Sequence, residues 1–157
     1  MGTYRFSSYK QLKKYVDAKL VSVLDEIADE VLYELKASVE DHLYSWEPKK
    51  YERTGWLLES ITRSKVALSF GEYKVSIYYD TNVLQPVLRE DAWNAHADFW
   101  GEWVGEDLVW WLEKGTPDNP YYQHPEYAFI RDCTEWISGE YHEKFKKKLE
   151  ARGLLTV

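Results

Sequence analysis

Residues 20–43 read LVSVLDEIADEVLYELKASVEDHL, and this stretch decides the fold. Acidic side chains fill the positions between apolar ones, so that one face is apolar and the other is charged. The spacing predicts an amphipathic helix with its apolar stripe against the core. The residues of that stripe are Leu20, Leu24, Ile27, Ala28, Val31, Leu35, Val39 and Leu43.

The limits of this helix can be predicted from its flanks. Residues 3–47 contain neither Gly nor Pro, and Ser8 followed by Gln11 has the form of a capping box. Pro48 disfavours helical backbone at the residue before it, which predicts an end near Tyr44 to Trp46. A helix over residues 10–45 would be about 54 Å long at 1.5 Å per residue. It therefore either breaks near residues 17–19 or protrudes, and a protruding stripe would have to be buried on another subunit.

A short helix and a β-hairpin follow a polar loop. Gly55 can take a positive φ there, and the apolar residues after it fit one or two helical turns. Two alternating runs then flank Gly71-Glu72, which we expect to form a two-residue turn. The apolar positions of the runs are Val66, Leu68 and Phe70 on one side, and Tyr73, Val75, Ile77 and Tyr79 on the other.

Residues 80–107 show neither helical nor strand periodicity. They carry seven acids against Arg89 alone, a net charge of −6 that accounts for most of the −7 of the chain. We interpret this acidic, Trp-rich segment as an excursion between two strands, with a short helix over residues 90–99. The apolar run Leu108 to Leu112 is suited to a buried strand.

A second long helix ends the chain. Pro125 is suited to its first position, and Gly153 should stop it. Its predicted stripe is Phe129 or Ile130, Cys133, Ile137, Tyr141, Phe145 and Leu149. The order of elements predicts a single α+β domain over residues 1–157, with a small, mainly antiparallel sheet covered by helices.

Composition narrows the class of protein. The chain has 8 Trp and 13 Tyr, more than a core of 157 residues needs, so some rings should lie in contact surfaces. Cys133 is the only cysteine and is expected to be a buried packing thiol. No stretch has the length and apolarity of a membrane span or a signal peptide, which predicts a cytoplasm-like compartment and no membrane partner. The C-terminal lysines are expected to form a solvated face.

Three motifs occur in a fixed order, and together they resemble the tail-completion and head–tail joining proteins of siphophages. That family has a long N-terminal helix, a segment of the form R-T-G-x-L-x-x-S-I, a hairpin, an E-x-G-T segment, and a proline-aromatic segment before the last helix. The matching residues here are Arg53, Thr54, Gly55, Leu57, Ser60 and Ile61, then Glu113, Gly115 and Thr116, then Pro120, Tyr121, Tyr122 and Pro125. Two features depart from the family: the long insertion at residues 80–107, and Gln123 and His124 where an arginine is usual.

The resemblance implies a structural protein of the virion and not an enzyme. Its subunits would form a ring, a hexamer, at the head–tail junction or the proximal end of the tail, after synthesis in the bacterial cytoplasm. Its partners would be copies of itself and neighbouring neck or tail-tube proteins, with DNA only as passing cargo. An acidic lumen would repel phosphate. The candidate assembly or lumen contacts are Trp93, Asp98, Trp100, Glu102, Trp103 and Glu106.

The same sequence also suggests other functions, each with less support. The Trp-rich segment could bind a sugar or a cationic ligand, since aromatic faces with nearby acids suit both. The first helix could form a coiled-coil dimer, although its stripe is too irregular for strict heptads. His96 with Asp98 is a weak metal pair, while His42 is expected to be solvated. No nucleophile elbow, phosphate-binding loop or dinucleotide fingerprint is present, so we predict no catalytic residue and no cofactor.

Overall fold

The chain folds into an α+β arrangement in which short strands and three helices gather around one long helix. A computed structural model describes residues 5–45, 55–84, 105–115 and 126–154. The helices are α1 (Tyr9–Val39), continued by a π-helical turn (Glu40–Tyr44), α2 (Trp56–Ser60), α3 (Gly105–Lys114) and α4 (Phe129–Ala151). The strands are β1 (Ile61–Arg63), β2 (Ala67–Ser69), β3 (Glu72–Lys74) and β4 (Ile77–Tyr79).

Helix α1 begins at the predicted cap. The Ser8 hydroxyl accepts a hydrogen bond from the Gln11 amide at 3.3 Å. The Gln11 side chain accepts from the amide of Ser7 at 3.1 Å, one residue before the position that a capping box uses. The helix and its π-helical turn end at Tyr44, within the predicted limits.

The helix does not break near residues 17–19. It runs without interruption for 31 residues, about 46 Å at 1.5 Å per residue. Its first buried residue is Val23, and nothing before Ser22 in the described part of the chain is buried. Leu20 is partly buried against the core cluster, so the part of α1 that extends beyond the core is residues 9–19. We call it the arm.

The predicted apolar stripes of the two long helices form the core. Val23, Ile27, Val31, Leu35, Val39 and Leu43 of α1 and its extension join Phe129, Cys133 and Leu149 of α4 in one buried cluster. Short elements contribute the rest of that cluster, namely Leu57, Ile61, Leu84 and Leu112. Leu84 shows that the segment after β4 begins within the core, so the predicted excursion is not wholly separate from it.

The four strands form one bent hairpin. β1 pairs with β4 antiparallel, with Ile61 opposite Tyr79. β2 pairs with β3, with Ala67 opposite Lys74. Residues 64–66 lie between the two ladders on one side and residues 75–76 on the other, so one strand has an extra residue. This is the arrangement of a β-bulge, and it shifts the pairing register by one residue.

The turn of the hairpin lies one residue earlier than predicted. Ser69 pairs with Glu72, so the two-residue loop is Phe70-Gly71 and not Gly71-Glu72. The φ angles of Phe70 and Gly71 are 51° and 84°. A type I′ turn needs a positive φ at both central residues. The correct register thus places a phenylalanine where Asn or Gly is preferred.

The predicted strand at Leu108 to Leu112 is wrong, because these residues lie within helix α3. Leu112 and Glu113 are buried and Val109 is half-buried, whereas Trp110 is 60% exposed. This spacing of three and four residues is that of a helix face. A run of five apolar residues fits a buried strand equally well by periodicity alone, and the helix also takes in residues 105–107 of the predicted excursion.

Helix α4 starts later than predicted. Its first residue is Phe129, and Pro125 lies outside the described residues. Ala128 precedes the helix with a φ of 52°, a left-handed conformation that separates the helix from the chain before it. Gly153 ends α4 as expected, with a φ of 72° and an amide that donates to the carbonyl of Glu150.

Ion pairs join α1 to its neighbours on both sides of the apolar stripe. On one side, Arg63 of β1 donates to Asp25 at 2.9 Å and to Asp29 at 2.7 Å. On the other side, Lys148 of α4 lies 3.3 Å from Glu26 and 2.8 Å from Glu30. Arg152 also pairs with Glu26. The predicted solvated face of α4 is therefore wrong for Lys148, which contacts α1.

Gly55 is expected to be required for its backbone conformation. Its φ is 77°, and a Cβ built there meets no atom within 4 Å, so a substitution is opposed by backbone strain alone. Gly55→Val should lower the free energy of unfolding by about 1 kcal/mol or more, measured by urea denaturation. Gly139, within α4 and equally open, is the matched control. Gly139→Ala should raise stability by about 0.5–1 kcal/mol. Equal stability of Gly55→Val and the unsubstituted protein would contradict this account.

Candidate functional site

The residues of the first motif lie at a joint between elements. Gly55 has left-handed backbone and precedes α2. Leu57 is buried in the core, and Ser60 and Ile61 are almost completely inaccessible to solvent. This half of the motif directs the chain from the loop into α2 and then into β1.

Ser60 holds the end of α2 to the end of the hairpin. Its hydroxyl donates to the carbonyl of Leu57 at 2.7 Å, which satisfies a buried polar group. Its own carbonyl accepts from the amide of Asp80 at 2.8 Å. The serine of the motif thus connects α2 to the residue that follows β4.

Glu113 of the second motif caps a helix to which it does not belong. Its carboxylate accepts from the amide of Ile130 at 2.8 Å and from the amide of Arg131 at 3.0 Å. Helix α4 has no side-chain cap of its own, because Ala128 occupies its N-cap position. A helix N-terminus presents free N–H groups and a partial positive charge, both of which a carboxylate satisfies. This explains how Glu113 can be 6% exposed without a basic partner among the described residues.

Backbone hydrogen bonds strengthen the same joint. The amide of Tyr127 donates to the carbonyl of Leu112 at 3.2 Å, and the amide of Ala128 donates to the carbonyl of Glu113 at 3.3 Å. Gly115 follows α3 with a φ of 73°. The glutamate and glycine of the motif therefore end one helix and begin the next.

Tyr79 connects the two motifs. It pairs with Ile61 across the hairpin, and its side chain lies close to Glu113 and Cys133. Its hydroxyl is buried and has no hydrogen-bond partner among the described residues. Burial, followed by the nearby negative charge of Glu113, raises the pKa of the hydroxyl well above its ordinary value. Tyr79 is thus a neutral phenol throughout the physiological range.

Cys133 is a packing residue, as predicted. It is 6% exposed, and burial raises the pKa of its thiol. A thiol with a raised pKa is protonated and a poor nucleophile. The groups that meet at this joint are therefore a carboxylate occupied by two amides, a neutral phenol and a neutral thiol. We call Ser60, Ile61, Tyr79, Glu113 and Cys133 the motif joint.

His42 is held between helices, contrary to the prediction that it is solvated. Its Nε2 lies 3.1 Å from a carboxylate oxygen of Asp132, in the first turn of α4. Its Nδ1 lies 2.7 Å from the carbonyl of Ser38. The Ser38 hydroxyl in turn donates to the carbonyl of Phe129 at 3.2 Å. The end of α1 therefore contacts the start of α4 through polar groups as well as through the core.

Many of the predicted site residues lie outside the described residues. These are Arg53, Thr54, Thr116, Pro120 and Tyr121 of the motifs, the candidate contacts Trp93, Asp98, Trp100, Glu102 and Trp103, and the histidine of the weak metal pair, His96. Glu106 lies in the first turn of α3. The assignment of residues 80–107 to a lumen, or to a sugar or cation site, stays a prediction.

Two features of this region were not predicted from the sequence. The Arg63 pair with Asp25 and Asp29 depends on a contact between residues that are far apart in the chain. The capping role of Glu113 depends on the approach of α3 to α4. The E-x-G spacing marked Glu113 as notable, but periodicity carries no signal for a cap provided by another helix.

Neither a metal-binding group nor a membrane span occurs among the described residues. Within them, no group of three or more His, Cys, Asp or Glu side chains could hold a metal ion. None of the helices described there is both long enough and apolar enough to span a bilayer.

Comparison with models of protein families gives a match over most of the chain. The model of a protein family described as YomN matches residues 8–151, from the cap of α1 to the end of α4. No curated protein and no solved structure matches significantly.

Removal of the Glu113 carboxylate should weaken the start of α4. Glu113→Ala leaves two amides at a part-buried helix end without an acceptor, and should lower the free energy of unfolding by about 2 kcal/mol. Glu135→Ala, at an exposed position of the same helix, should change it by less than about 0.5 kcal/mol. Chemical denaturation of both variants measures the difference. Equal effects would show that the cap does not stabilise the fold.

Tyr79 should make the protein sensitive to alkaline pH. The folded state keeps the phenol protonated, whereas the unfolded chain releases the proton near its ordinary pKa of about 10. Stability is therefore fully present below that pH and should fall as the pH rises above it.

Tyr79→Phe should reduce this loss of stability at alkaline pH. Urea denaturation between about pH 8 and about pH 11, on either side of that pKa, measures the free energy of unfolding. At neutral pH the substitution should raise stability by about 1 kcal/mol, because the hydroxyl is buried without a described partner. Tyr33→Phe is the control, since Tyr33 is 71% exposed and its replacement should leave the loss of stability at alkaline pH unchanged. A loss of stability in Tyr79→Phe at neutral pH would show that the hydroxyl has a partner.

Proposed function

We propose, from the premise that this chain belongs to the phage-associated YomN family, that it is a structural subunit of the head–tail junction or of tail completion. In this role it catalyses nothing and holds no cofactor. It assembles as a ring, a hexamer, on neighbouring neck or tail-tube proteins, and DNA passes through the ring as cargo. It is made in the host cytoplasm and resides in the virion.

The observation that carries this proposal is the arm. A monomeric protein gains nothing by extending an amphipathic helix several turns beyond its core. The arm nevertheless keeps large apolar side chains in solvent, with Tyr9 78% and Leu12 40% exposed. Exposed apolar surface of this kind is typical of a subunit that is completed by assembly.

The motif joint supports the same proposal. The motif residues that the structure describes lie at the turns between elements and hold the fold together. None of these described residues presents a free polar group to a cleft. Motif residues that stabilise the fold are consistent with a structural subunit.

Purified particles provide the test. The protein should be present in virions at the copy number of a ring, measured by quantitative mass spectrometry. Disruption of its coding sequence should leave separate heads and tails, or tails of abnormal length, in electron micrographs, while replication of phage DNA stays normal. Restoring the sequence in trans is the control. Joined, infectious particles that lack the protein would overturn the proposal.

A further inference from the structure

Phe70, at the tip of the hairpin, has an unfavourable backbone conformation and an exposed side chain. Phe70 has a φ of 51°, in the left-handed region that bulky residues rarely adopt. Its side chain is fully exposed, at 103% of the reference accessibility. The conformation is strained, and no packing within the subunit compensates for it. Local conflicts of this kind are concentrated at functional sites.

The hairpin lies beside the arm. Tyr73 in β3 lies close enough to Asp17 of α1 that the pKa of the phenol is raised and the pKa of the carboxyl is lowered, in that case after the larger effect of Lys13. Leu68 pairs directly with Tyr73, so the two side chains lie on the same face of the hairpin. Leu68 is 57% exposed on that face. The hairpin and the arm therefore present their apolar side chains next to one another.

The stripe of α1 continues along the arm. Tyr9, Leu12 and Val16 extend the spacing of three and four residues that leads into Leu20 and Val23. The rest of the subunit buries this stripe partly at Leu20 and fully from Val23 onwards. We define the arm–hairpin surface as Tyr9, Leu12, Leu68 and Phe70. The exposed lysines Lys10 and Lys14, four residues apart, form a basic row along the side of the arm that flanks this surface, and we include them in it.

Charge divides the first helix into two parts. Residues 5–19 contain Arg5 and four lysines against Asp17, a net charge of +4. Residues 20–41 contain seven acids against Lys36, a net charge of −6. Four of these acids pair with Arg63, Lys148 or Arg152 of the same subunit, as described above.

Two of the remaining acids lie on an exposed part of the same helical region. Glu40 and Asp41 are exposed and form no ion pair with another described residue. Tyr33 lies on the same side, since residues seven or eight apart share a helix face, and it is 71% exposed. We define the acceptor face as Tyr33, Glu40 and Asp41.

We propose that the arm–hairpin surface docks on the acceptor face of a second copy of this chain. This inference rests on the proposed function and names the contact that builds the ring. Contact between two arms would bring like charges together, whereas the arm and the acceptor face have opposite charges. A contact between two different surfaces is heterologous, and repetition of it around an axis closes a ring. Phe70 is the anchor, and its strain is offset only when a partner covers it.

Charge reversal tests the contact with two variants and their mixture. Lys10→Glu with Lys14→Glu places acids opposite acids, and Glu40→Lys with Asp41→Lys places bases opposite bases. Each double variant alone should associate at least about tenfold more weakly than the unsubstituted protein in sedimentation equilibrium. In an equimolar mixture every contact pairs opposite charges again, so association should return, in alternating assemblies.

The controls separate this effect from misfolding and from net charge. Acids are favourable near a helix N-terminus, so the first variant should keep its helical circular dichroism. Lys114→Glu with Lys146→Glu makes the same charge change at exposed positions of α3 and α4, away from Tyr33, and should leave association unchanged. The loss in the two reversal variants should diminish as salt is raised.

Phe70→Asn gives an independent readout with opposite signs. Asn is preferred at a positive φ in a type I′ turn, so the variant should melt at a higher temperature than the unsubstituted monomer. It should also associate about tenfold more weakly or worse, because the anchor is lost. A destabilised hairpin cannot produce both results.

The outcomes distinguish this proposal from the proposed function. If the unsubstituted protein is a monomer up to its solubility limit, or if the mixture of reversal variants does not associate, docking on a second copy is overturned. An arm that instead captures a purified neck or tail protein would overturn it as well. In each case the head–tail role is tested by a separate experiment, which is whether the protein is present in virions.

Discussion

The structure depends on one constraint, which is that the described short elements and α4 are buried along a single long surface, the apolar stripe of α1. Each strand has three residues, too few for a sheet that could form a core by itself. The stripe from Val23 to Leu43 therefore serves as a common wall for the hairpin and for α4. Acids on both sides of that stripe pair with Arg63 of the hairpin and with Lys148 of α4. Apolar contacts therefore hold these two elements against α1, and the ion pairs fix their positions.

A second constraint concerns the start of α4. A helix that packs along α1 needs acceptors for its first amides, and Ala128 cannot provide one. Glu113 provides both acceptors from α3, which makes the orientation of α3 part of the stability of α4. Burial raises the pKa of Tyr79 and of Cys133, and the Glu113 carboxylate adds to the effect on Tyr79. The joint therefore stabilises the fold.

Two apolar features of the fold remain exposed to solvent. The arm keeps an apolar stripe in water, and the hairpin tip keeps a strained aromatic residue there. Both features lower the stability of the isolated subunit, and both are explained if the subunit is completed by a partner. The family match covers both long helices and the hairpin, and so includes these two exposed features.

The sequence by itself determined the two long helices, the cap at Ser8, the existence of the hairpin and the burial of Cys133. These depend on periodicity and local hydrogen bonding, which act between residues close in the chain. The predictions that were wrong concern α3, the turn at Phe70-Gly71, the start of α4 and the environment of His42. Short apolar runs fit helix and strand equally, and strand register depends on which residues face each other across the pair. The tertiary structure decided these points, because the partners of Glu113, Arg63 and His42 are brought near them only when the chain is folded.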